Sequence, residues 1–90
     1  MEFEFDPEKD QANQEKHRID FARAQQLWHG PSVDFAARQE YENRFARIGL
    51  LKGKLYTCIY TLREDRIRII SCRRSRKNEE VLYAKGIKDT

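Results

Sequence analysis

The chain has few of the residues that disulfide frameworks, phosphate loops and membrane spans require. Its two cysteines, Cys58 and Cys72, lack CxxC spacing, and its four glycines are too scattered to form a phosphate-binding loop. No hydrophobic run approaches membrane-spanning length, and the first ten residues are acidic where a signal peptide is basic and then apolar. We therefore expect a cytosolic protein with reduced core thiols, no membrane association and no cofactor.

Metal binding has equally little support from residue spacing. His17, His29, Cys58 and Cys72 are competent ligands, but none lies at the paired short spacing of structural zinc sites. The sequence predicts no metal site.

The chain is instead rich in charge, which is unevenly distributed. Its 90 residues, enough for one domain over 1–90 with a small core, carry a net charge of +3. Residues 1–10 hold five acids and one lysine, whereas residues 63–77 hold seven arginines or lysines and two acids. A small core and a local excess of positive charge favour a domain that an acidic partner or a nucleic acid stabilises.

The periodicity predicts an α+β domain with two N-terminal helices, about four antiparallel strands and a C-terminal helix. Asp6-Pro7 is typical of a helix start, and that helix should end near His17. Asp20 can cap a second helix over residues 21–29. For the last helix, Ser75 is the expected N-cap and Gly86 the expected end.

Alternating and β-branched residues predict the strands. Residues 2–5 could form a short strand or an extended lead-in, and the remaining strands are expected near residues 33–35, 43–50, 55–61 and 67–75. A hairpin turn is expected over residues 63–66. A three-residue loop there would place Cys58 opposite Cys72, whereas a two-residue loop would place it opposite Ser71.

The first predicted helix has a cationic stripe rather than an apolar one. Lys9, Asn13 and Lys16 lie within an arc of about 60°, with His17 beside them. Such a stripe is typical of a solvated surface helix, and a phosphate-facing surface is the alternative.

A second cationic cluster follows the last strand. Arg73, Arg74, Arg76 and Lys77 could bind phosphate at the end of a rigid element, or they could be a solvated cluster balanced by Glu79 and Glu80. In a regular strand Arg68 and Arg73 point to opposite faces. They can serve one site only if the strand ends, twists or bulges near Ser71.

These residue types suit RNA cleavage by a neighbouring 2′-hydroxyl, which requires a base, an acid and cations near phosphorus. His17 has a suitable pKa range, Glu79 is an alternative base, and Tyr83 or Lys16 could be the acid. The arginines, with Lys9, would bind phosphate. Alternatively, Glu79 pairs with Arg76 on a helix surface and Tyr83 packs on the sheet.

The order and spacing of several short motifs resemble those of the BrnT family of toxins. The residues that carry the resemblance are Phe3-Glu4-Phe5-Asp6-Pro7, Lys9, Asn13, Lys16-His17, Phe21, Ala24, Arg44-Phe45, Ile48-Gly49, Tyr60-Thr61, Ile67-Arg68-Ile69-Ile70-Ser71, Arg73, Glu79 and Tyr83. The resemblance covers nearly the whole chain.

This resemblance implies a RelE-like ribonuclease toxin that cleaves mRNA and is neutralised by a BrnA antitoxin in a hetero-oligomer. It implies that BrnA alone contacts DNA. By this resemblance, the expected catalytic residues of this chain are Lys16, His17, Arg44, Arg68, Arg73, Glu79 and Tyr83. The expected phosphate contacts are Lys9, Arg74 and Arg76. A non-catalytic RNA-binding or partner-binding module is the alternative.

The chain departs from the family pattern at Phe5, Arg18, Cys72 and Ser75, which stand where tryptophan, glycine, alanine and alanine are usual. The change at Arg18 bears most on the site. If the position after His17 needs a left-handed backbone, an arginine there is strained and can alter the orientation of the histidine.

Overall fold

The protein's computed structural model describes residues 2–37 and 43–88. Their elements are strand β1 (Glu2–Glu4), helix α1 (Pro7–His17), helix α2 (Phe21–Ala24), a 3₁₀ turn (Gln25–Trp28), strands β2 (Ser32–Ala37), β3 (Arg44–Leu51), β4 (Lys54–Arg63) and β5 (Arg66–Arg74), and helix α3 (Lys77–Lys88). The predicted α+β class is confirmed.

The strands in the described part of the chain form one sheet in the order β1-β5-β4-β3-β2. β1 runs parallel to β5, and the other neighbours are antiparallel. The segment expected as a strand or an extended lead-in is thus a paired edge strand. The sheet is therefore mixed, with one strand more than the four predicted.

The two N-terminal helices start at the predicted caps. The Asp6 carboxylate accepts the backbone N–H of Glu8 at 2.9 Å, and the Asp20 carboxylate accepts that of Arg23 at 2.8 Å. The second helical segment tightens into the 3₁₀ turn after Ala24 and ends at Trp28, one residue before the predicted end.

One face of the sheet, here called the core face, packs against α2 and the 3₁₀ turn. Phe21, Cys58 and Cys72 on this side are fully buried. Both cysteines are free thiols, and burial raises the pKa of Cys58 well above its usual value. The prediction that both cysteines lie in the core is thus confirmed.

Helix α3 begins one residue later than the predicted N-cap implies. Arg76, not Ser75, precedes its first residue, and the Arg76 backbone N–H donates to the Glu79 carboxylate at 2.7 Å. This is the reciprocal half of a capping box. The hydroxyl of Ser75 instead hydrogen-bonds that of Thr57 at 2.8 Å.

The predicted end of α3 at Gly86 is also wrong, because the helix continues to Lys88. Gly86 allows α3 to pack tightly on β2: a Cβ at this position would lie 2.5 Å from Val33 Cγ1. This glycine is therefore a close-approach residue and not a helix stop.

The β4–β5 hairpin turns over two residues, Glu64-Asp65. A two-residue turn was expected to place Ser71 opposite Cys58, but Cys72 lies there. An irregularity within the hairpin shifts the pairing by one residue, and this irregularity organises the candidate site.

No helix in the described part of the chain is long and apolar enough to cross a membrane.

Candidate active site

A β-bulge in β5 determines which side chains share a face. Tyr60 pairs with Ile69, but the next residue back along β4, Ile59, pairs with Ser71, so Ile70 is an extra residue in the ladder. A single extra residue reverses the alternation of every side chain that follows it. The bulge lies where the sequence required one if Arg68 and Arg73 were to serve one site.

The consequence is that Arg68 and Arg73 lie on the same face of the sheet. Arg68 pairs with Thr61 and Arg73 with Thr57, and those two threonines share a face of the regular strand β4. The two arginine Cα atoms are separated by four steps along the ladder, or about 13 Å. We call this side, opposite the core face, the arginine face.

Arg73 is held in place by Glu79 at the start of α3. Two guanidinium nitrogens of Arg73 donate to the two carboxylate oxygens of Glu79 at 2.7 and 2.8 Å. Their side chains are only 19% and 14% exposed. A bidentate pair of this kind fixes the plane of the guanidinium as well as its position.

The Glu79 carboxylate is saturated with donors. Besides Arg73, it accepts the Arg76 backbone N–H and, at 3.1 Å, the buried hydroxyl of Thr57. The Arg73 hydrogen bond, opposed by burial and reinforced by the Arg76 amide, lowers the pKa of Glu79 from 4.5 to about 2. Glu79 is thus ionised and fully bonded at neutral pH, an arrangement that suits positioning better than proton abstraction.

Helix α1 lies beside β5 beyond the end of β1, and Asn13 joins the two elements. Its side-chain amide donates to the Cys72 carbonyl at 2.9 Å and to the Ile19 carbonyl at 2.8 Å. Its amide oxygen accepts the Cys72 backbone N–H at 3.0 Å. Asn13 is therefore a buried clamp that replaces a neighbouring strand, not the exposed member of a cationic stripe.

This clamp places the cationic part of α1 next to the bulge. Lys9, Lys16 and His17 line a shallow cleft of about 230 Å³ together with Ile70 and Ser71. The lysine stripe that the sequence placed on α1 therefore faces the irregular part of β5 rather than open solvent alone.

His17 is the titratable group of this cleft. Partial burial, followed by the positive charges of Lys16 and Arg73, lowers its pKa below 6.5. Since like charges disfavour protonation, the imidazole is neutral at pH 7 and can accept a proton. The electrostatic coupling of His17 to Arg73 also links α1 to the arginine face.

Arg68 and Arg44 lie further along the arginine face. Arg68 donates to the Glu4 carboxylate at 2.8 Å, and both side chains of this pair are about one-quarter exposed, at 26% and 28%. Arg44 pairs with Thr61 from the β3 side, so the two arginines flank this threonine.

The remaining predicted residues are divided between the two faces. Tyr83 is half-buried one turn after Glu79 on α3. Arg76 contacts Glu79 through its backbone. Arg74, which follows Arg73, points to the core face and lies over the Tyr56 ring, 5.7 Å from its centroid. Of the two adjacent arginines, Arg73 is the one whose charge acts on His17 and lowers its pKa.

Sequence reasoning missed one contributor to the site, Thr57, and the structural role of another, Asn13. Thr57 is fully buried and hydrogen-bonds Glu79, but no local pattern distinguishes it from any other strand threonine. Asn13 was identified by its position on the helix, but its role as a clamp depends on a partner 59 residues away.

Within the part of the chain that the structure describes, no three His, Cys, Asp or Glu side chains are grouped so that they could hold a metal ion.

Fold and site together define a small basic α+β domain with a positioned arginine and a neutral histidine on one side of its sheet. The family model of BrnT, the ribonuclease toxin of type II toxin-antitoxin systems, matches residues 5–79. The chain belongs to this family of ribonuclease toxins, whose partner is an antitoxin. A comparison with curated proteins finds no match. The segment that matches the BrnT family model, residues 5–79, includes every predicted site residue except Tyr83.

Proposed function

We propose that this toxin is a metal-independent endoribonuclease that cleaves mRNA, and thereby inhibits translation, on its arginine face. The observation that carries the proposal is the bulge at Ile70, which brings Arg68 and Arg73 to one face, where the charge of Arg73 acts on His17. The neutral imidazole supplies a base, and the two cations supply the charge stabilisation that phosphodiester cleavage requires without a bound metal.

In the proposed reaction, His17 is the general base. It accepts the proton of the RNA 2′-hydroxyl, and the 2′-oxygen attacks the adjacent phosphorus. The bond from phosphorus to the 5′-oxygen breaks, which leaves a 2′,3′-cyclic phosphate on one product. The lowered pKa of His17 supports this role, because the imidazole is already unprotonated at neutral pH.

Arg73 would meet the negative charge that develops on the phosphoryl oxygens. A guanidinium has five N–H donors, of which Glu79 and the Arg74 carbonyl use three among the described residues. The remaining two are available to a phosphate. Glu79 is then a positioning residue, because it pre-orients Arg73 and avoids the cost of ordering this side chain during the reaction.

The leaving 5′-oxygen needs a proton, and two residues remain as the proposed source. Lys16 is next to the proposed base on α1, and Tyr83 is on α3 one turn from Glu79. Arg68 and Arg44 on the arginine face, together with Lys9 in the cleft of His17, would hold the flanking phosphates.

The test is cleavage of a single-stranded RNA in the presence of a chelator. Wild-type cleavage should persist, and Arg73→Ala should slow it by about 10² to 10³-fold, the usual cost of losing one charge-stabilising donor. Lys85→Ala, which removes an exposed cation from α3, is the matched control and should cleave at the wild-type rate. Intact RNA with salt-sensitive binding would instead support a non-catalytic RNA-binding module.

The pH dependence of the same reaction tests the base. Because His17 must be neutral to accept a proton, the rate should fall only below its lowered pKa and reach a plateau towards pH 7. His17→Ala should lose both this acidic limb and about 10² to 10⁴-fold in rate. An unchanged acidic limb in His17→Ala would assign the base to another group.

We also propose that the antitoxin is of the BrnA type and covers the arginine face. Covering Arg68 and Arg73 would block the substrate and add buried surface to a domain with a small core. Protection of both arginines from a guanidine-directed reagent in the complex is the expected result. Both arginines remaining reactive in the complex would contradict the proposal.

A further inference from the structure

A second cationic cleft, lined by Tyr56 on the core-face side of the sheet, has no role in the proposed reaction. Its volume is about 330 Å³, larger than that of the cleft beside His17. Among the described residues its lining has four cations and no acid; the cations are Arg18, Arg23, Lys52 and Lys54. None of these four side chains forms an ion pair with another described residue.

The floor of this cleft is apolar and aromatic. Ile19 and Leu51, both buried core residues, line it together with the ring of Tyr56. The Arg74 guanidinium lies over that ring, so a fifth cation borders the cleft. Cations around an apolar and aromatic floor match a ligand with both a phosphate and a planar ring.

Two of the four cations occupy backbone conformations that favour glycine. Arg18, at the end of α1, has φ 62°, and Lys52, in the β3–β4 turn, has φ 51°. Glycine or asparagine would adopt either conformation at lower cost. Each position instead carries a cation that lines the cleft, and residues held in such conformations cluster at binding sites.

We propose that this cleft holds one unpaired nucleotide of the RNA substrate outside the cleavage site, with its phosphate among the four cations and its base against Tyr56. The inference rests on the proposed ribonuclease function, since it assigns the cleft to the same substrate.

The connection between the two clefts follows from sequence adjacency. On α1, Lys16 and His17 line the cleavage cleft and Arg18 lines the second cleft. On β5, Arg73 points to the arginine face and Arg74 to the Tyr56 side. An RNA strand that passes the ends of α1 and β5 would therefore contact cations continuously from one cleft to the other.

The experiment measures binding of fully 2′-O-methylated RNA, which has no free 2′-hydroxyl and cannot be cleaved by the proposed route. Oligonucleotides of about three and about eight nucleotides separate a single site from an extended path. The test variant is Arg23→Ala with Lys54→Ala, because neither residue has the left-handed backbone of Arg18 or Lys52. The control is Lys85→Ala with Lys88→Ala, which removes the same charge from exposed positions of α3.

The test variant should bind the longer RNA roughly tenfold more weakly than the control variant does at low salt, and the short RNA almost unchanged. Loss of two phosphate contacts should also reduce the slope of log affinity against log salt by about 1.4. Thermal unfolding midpoints equal to wild type would show that both variants are folded.

Three results would overturn the inference. Equal losses of RNA affinity in the test and control variants would mean that the RNA is attracted non-specifically by net charge. A free mononucleotide that competes as well as the longer RNA would mean a separate small-anion site. Weaker binding of antitoxin, with RNA binding intact, would assign the cleft to an acidic protein segment. If the wild type binds RNA through the cleft but never cleaves it, the proposed ribonuclease function fails while the subsite stands.

Discussion

Replacing Glu79 with glutamine tests the pair that holds Arg73. The substitution keeps the size of the side chain but removes the charge that two guanidinium nitrogens contact at 2.7 and 2.8 Å. Glutamine can accept at one oxygen only, so the bidentate geometry is lost. We expect the variant to fold with a less ordered Arg73 and lower stability at neutral pH.

The magnitude follows from the pKa of Glu79. The folded-state value of about 2 lies roughly 2.5 below the ordinary 4.5, which corresponds to about 3 kcal/mol. Because the Arg73–Glu79 pair retains some contact with solvent, we expect Glu79→Gln to lower the free energy of unfolding by about 2 kcal/mol. A domain of this size would lose roughly 10 °C in unfolding midpoint.

The sign of the pH dependence is fixed by the lowered pKa. A carboxylate that is more acidic in the folded state stabilises the fold fully above pH 4.5, and this contribution is lost as the pH falls towards 2. The difference in the free energy of unfolding between wild type and Glu79→Gln should therefore be largest at about pH 5 to 7 and shrink towards zero near pH 2.

Urea unfolding of both proteins between pH 2 and 7 measures this difference. Glu80→Gln is the matched control, because Glu80 is the next residue of α3 and is exposed. A stability difference that stays constant down to pH 2 would refute the reasoning, as would an equal loss in the control.

Two further predictions concern backbone geometry. Arg18→Gly should raise the free energy of unfolding by about 0.5 to 1 kcal/mol in thermal or urea unfolding, because the left-handed conformation at φ 62° costs arginine more than glycine; an unchanged or lower stability would contradict this. Gly86→Ala should lower the free energy of unfolding by about 1 to 3 kcal/mol, because the added Cβ meets the stiff side chain of Val33 at 2.5 Å. Gly30→Ala is the control: its Cβ would have nothing within 4 Å, so the same measurement should show almost no change.

The parts of the fold that depend on neighbouring residues were predictable from the sequence. Asp6 and Asp20 cap the helices that they were expected to cap, since an N-cap needs only a short polar side chain and the following amides. The start of α3 was mispredicted for the same physical reason. Ser75 has the right chemistry for a cap, but its hydroxyl is engaged by Thr57 on another strand, 18 residues away in sequence.

The candidate site was predictable in its residue types more than in its geometry. The expected pair of Glu79 with an arginine exists, but the side-chain partner is Arg73, six residues earlier, and Arg76 contributes only its backbone N–H. Helical spacing cannot identify Arg73 as the partner of Glu79, because Arg73 lies on a strand. The burial of Asn13 was equally inaccessible, since its partners become neighbours only when β1 ends and α1 takes the place of the next strand.

The position of the bulge decides which arginine joins Arg68. In a regular strand, Arg68 would share a face with Arg74, and Arg73 would point into the core face. The extra residue at Ile70 reverses this choice, so Arg73 meets Glu79 on the arginine face and Arg74 lies over Tyr56. Since the charge of Arg73 acts on His17, the proposed cleavage site depends on this one irregularity of the backbone and not on the number of arginines at the end of the strand.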